Sequence, residues 1–330
     1  MSDEAAKKTK EEYEQWLLSL TGVTGVGYNH SIHIYVERAT AELKAMLPKK
    51  LDNIEVKIIE TGKFVPLHLM VPLFTRFAER TDRYRPAPGG VSIGAPQITA
   101  GTLASRAIDL KTVKTVGLSN AHVLFSPWGT SPGAPKGNSV LQPGKYDGGT
   151  DPLDKIGELE RWIPVKVEPE ENLIDAAVFK SDLLSEEIVD IGEIESPVAP
   201  EVGMNVVKSG RTSALTYGKI FDVNATVKVS GDGDCLFKDQ IITDSPLLSP
   251  GDSGSLVLNA DSFRTVGLGF AGSEKMSVIN RASHVERLLD IAIIPPEISP
   301  STISLPLILA GFGVSMGVVQ MGITLKERNA

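Results

Sequence analysis

The residue types and spacings best suited to chemistry lie in three stretches far apart in the chain. Pro250-Gly251-Asp252-Ser253-Gly254-Ser255, followed by the strand-like Leu256-Val257-Leu258, sets a serine hydroxyl between glycines. Acyl transfer to serine needs such a hydroxyl on a tight turn, with backbone N–H groups converging on the developing oxyanion. Flanking glycines permit positive φ and close approach of a substrate backbone. A serine hydroxyl does not ionise unaided at neutral pH, so an imidazole must take its proton. Leu118-Ser119-Asn120-Ala121-His122-Val123-Leu124 offers one, His122, after a predicted strand and behind small residues. Asn172-Leu173-Ile174-Asp175-Ala176-Ala177-Val178 embeds one carboxylate in an apolar run read as a strand. Burying an unpaired charge is costly, so Asp175 should have a dedicated donor. An imidazole Nδ1–H would serve, fixing the tautomer and stabilising the imidazolium. Each stretch alone has an ordinary reading: a turn, a core histidine, an aspartate turned outward at a strand edge. Together, in the order His, Asp, Ser and within one β-rich region, they read as a catalytic triad.

The elements that must position these residues run from Val91 to about Val285. Short β-prone runs, Gln97–Ala107, Ile156–Val165, Leu173–Lys180, Val206–Ser209, Lys219–Val229, Ile241–Thr243 and Val266–Phe270, are separated by Gly, Pro, Asp and Asn clusters. That spacing predicts a mainly β sandwich or barrel architecture, long enough for two small barrels over 90–295, with a helix at Ser283–Ile291 closing it. Residues 1–62 read as a small α+β module. Tyr13, Trp16, Leu17 and Leu20 share a face of a helix over 3–20; Val23–Tyr28, Ile32–Val36 and Ile54–Ile59 read as strands; Leu43, Met46 and Leu47 share a face of a second helix. His30 and His33 lack cysteine or carboxylate companions and are expected at the surface rather than on a metal. Residues 63–89, rich in proline, read as a linker, and 296–330 as an apolar tail.

At the three chemical stretches the chain resembles the chymotrypsin-like serine peptidases of the PA clan, whose motifs take the forms A-x-H, D-x-A and G-D-S-G. Ala121 stands directly before His122, one place closer than the first form. The resemblance implies a double β-barrel, with His122 and Asp175 on the first barrel and Ser253 on the second. It also implies an oxyanion hole from the N–H groups of Gly251 and Ser253, and hydrolysis of polypeptide substrates through an acyl-enzyme, with no metal and no cofactor. Further segments, Arg85–Gly94, Ile98–Leu103, Leu141-Gln142-Pro143-Gly144, Lys208-Ser209-Gly210-Arg211-Thr212 and Gly218-Lys219-Ile220, look like microbial relatives of the plant NARROW LEAF family; the likeness covers roughly residues 20–290. Matched residue by residue, Gly267-Leu268-Gly269-Phe270-Ala271-Gly272 forms one wall of the substrate cleft, with Phe270, Ala271 and Gly272 pairing with substrate backbone. Leu247 falls where such enzymes hold a specificity residue, favouring a hydrophobic side chain over Lys or Arg; its other reading is plain core. In the digestive enzymes the aspartate beside the serine pairs with an N-terminus freed by cleavage. Here a whole module precedes the barrel, so Asp252 must find another partner or face solvent, and no N-terminal processing is expected.

Composition sets the remaining bounds. Of 330 residues 42% are hydrophobic and 22% charged, close to the globular average. A formal charge of −8 without a long basic run argues against a nucleic-acid partner. The single cysteine, Cys235, excludes an internal disulfide framework and has no CxxC partner. The N-terminal stretch lacks the apolar core of a signal peptide, which suits a cytoplasmic protein. Ser230-Gly231-Asp232-Gly233-Asp234 lacks the further ligands of a calcium loop and reads as a β-turn. Residues 303–325 carry no charge and contain Gly313 and Gly317 in GxxxG spacing. Their length fits a membrane anchor. Pro306, several glycines and Gln320 weaken that reading, and an interaction or homo-oligomer segment stands level with it, ahead of simple core packing. Two rival functions stand beside the peptidase. One is an assembly protein using the barrel as a scaffold, with latent or self-directed activity. The other is a lipase or esterase, disfavoured because its triad would begin with the serine.

Overall fold

The computed structural model describes residues 3–66, 78–126, 133–231 and 233–293. The apolar segment 303–325 lies outside them; among the described residues no helix is long and apolar enough to cross a membrane. The described chain belongs to one compact unit.

The N-terminal part comprises α1 (Asp3–Ser19), β1 (Val23–Tyr28), β2 (Ile32–Val36), α2 (Ala41–Met46), β3 (Lys50–Leu51) and β4 (Ile54–Glu60). Thr40 caps α2, its hydroxyl accepting the Leu43 N–H at 3.2 Å, which satisfies one orphan donor of the first turn. α2 carries the chain across so that β4 lies parallel to β2, while β1 and β2 form an antiparallel pair. Leu17, Val26, Ile32, Ile34 and Ile54 make its core. Leu43 and Leu47 join that core, but Met46, the last residue of the helix, is 61% exposed. The sheet does not stop at the module: Gly25 and Val26 of β1 pair with Val227 and Thr226 far along the chain.

Next come β5 (Val65–Pro66), α3 (Ala78–Thr81), β6 (Ala87–Gly89), β7 (Ser92–Ile93), β8 (Gly101–Thr102), β9 (Ser105–Asp109), β10 (Lys114–Ser119), α4 (Ala121–Leu124), β11 (Ser139–Leu141), β12 (Lys155–Trp162), β13 (Glu171–Asn172), β14 (Ala177–Lys180) and β15 (Leu184–Ile188). The segment read as a linker is thus built into the body at both ends. β5 pairs in the main sheet, β6 pairs with β15, and Arg80 is buried. β9, β10, β11, β12 and β14 form the first β body, over a core that includes Ile93, Leu103, Val123, Val140, Leu159 and Phe179. The expected run 97–107 is broken at Leu103-Ala104, where the chain passes from β8 to β9.

The last elements are β16 (Asn205–Gly210), β17 (Ala214–Ser230), β18 (Asp234–Thr243), β19 (Leu256–Asn259), β20 (Thr265–Gly272), β21 (Ser277–Arg281), α5 (Ala282–Leu289) and β22 (Ile291–Ala292), the last pairing with β9. β16, β17, β18, β21, β20 and β19 pair in that order, and β19 returns to β16. This closed ring is a barrel, its strands paired on both sides along the length they share. β17 is far longer than the expected Lys219–Val229, because its two halves serve different neighbours: the first pairs with β16, and the second with β1 and β18. A shared core of Leu118, Ile174 and Val178 from the first body, Val207, Leu256 and Leu268 from the second, and Val285 and Leu289 of α5 joins the two. Each such side chain, fully buried, contributes about 1.5–3 kcal/mol.

Candidate active site

His122 sits at the corner where β10 ends and α4 begins, and its side chain is fully buried. Asp175 lies in the irregular segment just before β14, not within a strand as its apolar neighbours suggest. Side-chain amides replace the strand ladder there. The Asp175 N–H donates to Asn280 Oδ1 at 2.9 Å, and its carbonyl accepts from Asn120 Nδ2 at 2.7 Å. Asn280 in turn donates to Gln240 Oε1 at 2.8 Å, and Gln240 to the Leu173 carbonyl at 2.9 Å. The carboxylate so held accepts the His122 backbone N–H at 3.1 Å through Oδ1 and meets His122 Nδ1 through Oδ2. This is the carboxylate–imidazole pairing expected from the sequence.

The Ser253 turn needs its glycines: Gly251 has φ +96° and Gly254 φ +92°, in the left-handed region. A Cβ on Gly254 would also lie 2.3 Å from Ser119 Oγ and from the Thr102 carbonyl oxygen. Thr102 donates its N–H to the Ser253 carbonyl at 2.8 Å. At Gly101 the Val123 side chain and the Ser253 carbonyl oxygen both crowd the place of a missing Cβ, at 2.4 and 2.9 Å. The turn is therefore pressed against the β10–α4 corner that carries His122. Ser253 Oγ is buried and donates to the Phe270 carbonyl at 3.4 Å. Phe270 and Asn280 stand on the adjacent strands β20 and β21, so the supports of Ser253 and Asp175 belong to one sheet.

Asp252 is fully buried and does find a partner. Lys208 Nζ, also fully buried, lies 3.0 Å from its Oδ2. The Ser249 N–H (2.9 Å) and the Ser213 hydroxyl donate to the same oxygen, and the N–H groups of Thr212 (2.8 Å) and Ser213 (3.1 Å) donate to Oδ1. Burial pulls the Lys208 pKa below the usual lysine value and the Arg80 charge adds to that, against the pull of Asp252. Three residues on, Arg211 donates to the two Asp147 carboxylate oxygens at 2.7 and 2.6 Å, and its backbone N–H to Thr102 Oγ1 at 3.0 Å. Thr102 Oγ1 passes the bond to the Gly251 carbonyl at 2.9 Å. In sequence the signal for Lys208 is its place directly after Val206-Val207, a charge in an apolar run like that of Asp175.

Leu247 is buried among Val206, Ile220, Ile241, Val257, Val266 and Ile279. The Phe270 ring packs on Phe237 at 4.7 Å, leaving its carbonyl toward the serine. Ala271 and Gly272 pair with Pro66 and Val65. His33, expected at the surface, is buried: its Nδ1 meets Asp222 Oδ2 at 3.1 Å and its Nε2 meets Ser31 Oγ at 3.1 Å. Its carboxylate companion lay too far along the chain to be seen in sequence. Among the described residues no group of three His, Cys, Asp or Glu side chains is gathered as metal ligands would be.

A closed six-stranded barrel beside a second β body, with a buried His–Asp pair at the corner between them and a glycine-flanked serine turn, defines a trypsin-like fold. Residues 182–286 match the family of the Nal1 C-terminal domain, a span that contains the Lys208–Thr212 and Gly218–Ile220 segments. No curated protein matches the sequence. The fold is similar to Cellulomonas bogoriensis chymotrypsin, at 14% identity over 64% of this chain and 99% of that one, TM-score 0.43. It is also similar to Thermobifida fusca protease A, at 13% identity over 62% and 96%, TM-score 0.45. The Nocardiopsis protease gives 15% identity over 62% and 97%, TM-score 0.44.

Proposed function

We propose that the chain is a serine endopeptidase with His122, Asp175 and Ser253 as its triad. The observation that carries this reading is the buried Asp175 carboxylate, gripped at its own backbone by Asn120 and Asn280 and set on His122 beside the Ser253 turn. A carboxylate fixed in that way holds the imidazole in the tautomer whose Nε2 can accept a proton. His122 takes the Ser253 proton as the hydroxyl attacks a peptide carbonyl, and returns it to the departing amine. Water then repeats the sequence on the acyl-enzyme. Within the loop the N–H groups of Asp252 and Ser255 make turn bonds, and that of Gly254 donates across to the Gly269 carbonyl; those of Gly251 and Ser253 are assigned to the oxyanion. Lys208 supplies the counter-charge that keeps Asp252, and with it this turn, in place, so that no freed N-terminus is called for.

Turnover of a short chromogenic peptide amide, apolar at its reacting end, tests the reading. Wild type should cleave it, and Ser253→Ala should lose about 10⁴-fold in kcat. Equal rates in the two proteins would contradict it.

A further inference from the structure

A strand has two edges, and β21 occupies one edge of β20 from Gly267, opposite Arg281, to Gly272, opposite Ser277. The other edge changes hands along its length. Up to Gly269 it belongs to the nucleophile segment: Gly254 donates its N–H to the Gly269 carbonyl, and Gly269 its N–H to the Ser255 carbonyl, both at 2.9 Å. Then comes Phe270, whose carbonyl accepts the Ser253 hydroxyl. The next two residues on that edge, Ala271 and Gly272, pair antiparallel with Pro66 and Val65. β5 therefore begins where the serine loop leaves off, on the stretch of β20 along which an extended substrate backbone would add as a strand. The chain's own backbone already occupies the place of such a guest.

Its attachment is firm upstream. Phe64 is fully buried with Tyr35, Phe237 and Phe270 in one apolar cluster. Its carbonyl accepts the Ser230 N–H at 3.0 Å, and Thr61 donates its N–H to the Val36 carbonyl at 2.9 Å. The pairing strand itself is short and weak: two residues, one of them Pro66, which has no N–H to donate. A guest with a full complement of N–H groups could outcompete it.

We propose that Val65–Pro66 is an intramolecular strap on the substrate-binding edge of β20, tethered by Phe64, and that an extended polypeptide enters the cleft by displacing it. This rests on the serine-peptidase reading of Ser253. The strap restrains substrates that need the strand edge and leaves small reagents, which need only the serine, untouched.

Two probes on the full chain separate these cases: a small alkyl fluorophosphonate, and a tetrapeptidyl phosphonate ester with an apolar residue at its reacting end. Val65→Pro removes the N–H at the position paired with Gly272. It should speed labelling by the peptidyl probe about 10-fold, the worth of one competing backbone bond and the larger open fraction, with the small-probe rate changed less than twofold. Hydrogen exchange on wild type needs no substitution: labelling with the peptidyl probe should deprotect the amide of Val65. A folded Val65→Pro with both rates unchanged overturns the strap. So does a peptidyl-labelled wild type that keeps that amide protected, which decides the matter if the variant misfolds. A wild type inert to the small probe overturns the serine reading instead, and the strap's role falls with it.

Discussion

A serine beside an imidazole is inert unless the imidazole is oriented and the turn around the serine is held. In the proposed triad Asp175 does the first task, and Lys208, through Asp252, the second. Replacing His122 or Ser253 by Ala should each cost about 10⁴-fold or more in kcat, and the double variant little beyond the single ones, because the residues act as a unit. Lys208→Met leaves Asp252 buried without its counter-charge, a loss of about 3–5 kcal/mol; kcat should fall well below wild type with KM less affected, while Lys208→Arg restores most of it. The pH profile separates a charge effect from mere packing. Asp252 and Arg80 are the charged groups that face Lys208, and burial sets its pKa below the usual 10.5. A base whose folded pKa is depressed loses its proton more readily when folded, so conformational stability contributed by this site rises with pH across the window between the folded and unfolded values. Activity should move the other way. Above the folded pKa the charge on Asp252 goes unanswered, giving an alkaline limb in kcat/KM that begins below pH 10.5 and is absent in Lys208→Arg. Of this site, the three residues of the proposed triad stood out in sequence because serine, histidine and aspartate leave local marks: glycines, small neighbours, a charge among apolar residues. Asn280, Gln240 and Asn120 leave no such marks, since an amide has meaning only once its partner is known.

At the scale of elements, the N-terminal module is fastened to the second barrel by buried polar groups. Asp222 of β17 reaches in beside Gly27, where a Cβ would stand 2.0 Å from its Oδ2. There it accepts from Tyr35 OH at 2.8 Å, from the Asn224 N–H at 2.9 Å and meets His33. Asp222→Ala should destabilise the protein by about 3 kcal/mol, because several buried donors lose their acceptor, as a urea or thermal titration can measure. On the far side, α1 docks through Glu14. Burial raises its pKa, but the neighbouring Lys10 and Lys238 outweigh that and set it below the usual value. A depressed acid contributes stability above its unfolded pKa and loses it as pH falls through the folded one. Hydrogen exchange in α1 should accelerate on acidification below about pH 4.5, and Glu14→Gln should flatten that response. The strands Val23–Tyr28 and Ile32–Val36 were legible because tight turns bound them. β5 was not: two residues ending in proline carry no periodicity, and their place in the sheet depends on β20, two hundred residues later.

At the scale of the whole molecule, the barrel closes through β16–β19 and β17–β18, pairings between strands whose order no local pattern encodes. Sequence could predict many short strands and two bodies, not the ring, nor that β1 extends its sheet. The two bodies also meet through charge. Asp147 of the first accepts Arg211 of the second beside Gly251, with the Arg211 guanidinium 5.2 Å above the Tyr146 ring. Asp147→Asn should weaken the oxyanion turn more than the fold, lowering kcat severalfold with a melting temperature near wild type; a large fall in melting temperature with kcat unchanged would reverse that order.

Peptide mapping after labelling with a small fluorophosphonate tests the central claim most directly. A single adduct on Ser253 is predicted, absent from Ser253→Ala and formed at least 10³-fold more slowly in His122→Ala. A folded wild type that takes up no label, or takes it elsewhere at the same rate in all three proteins, contradicts the account.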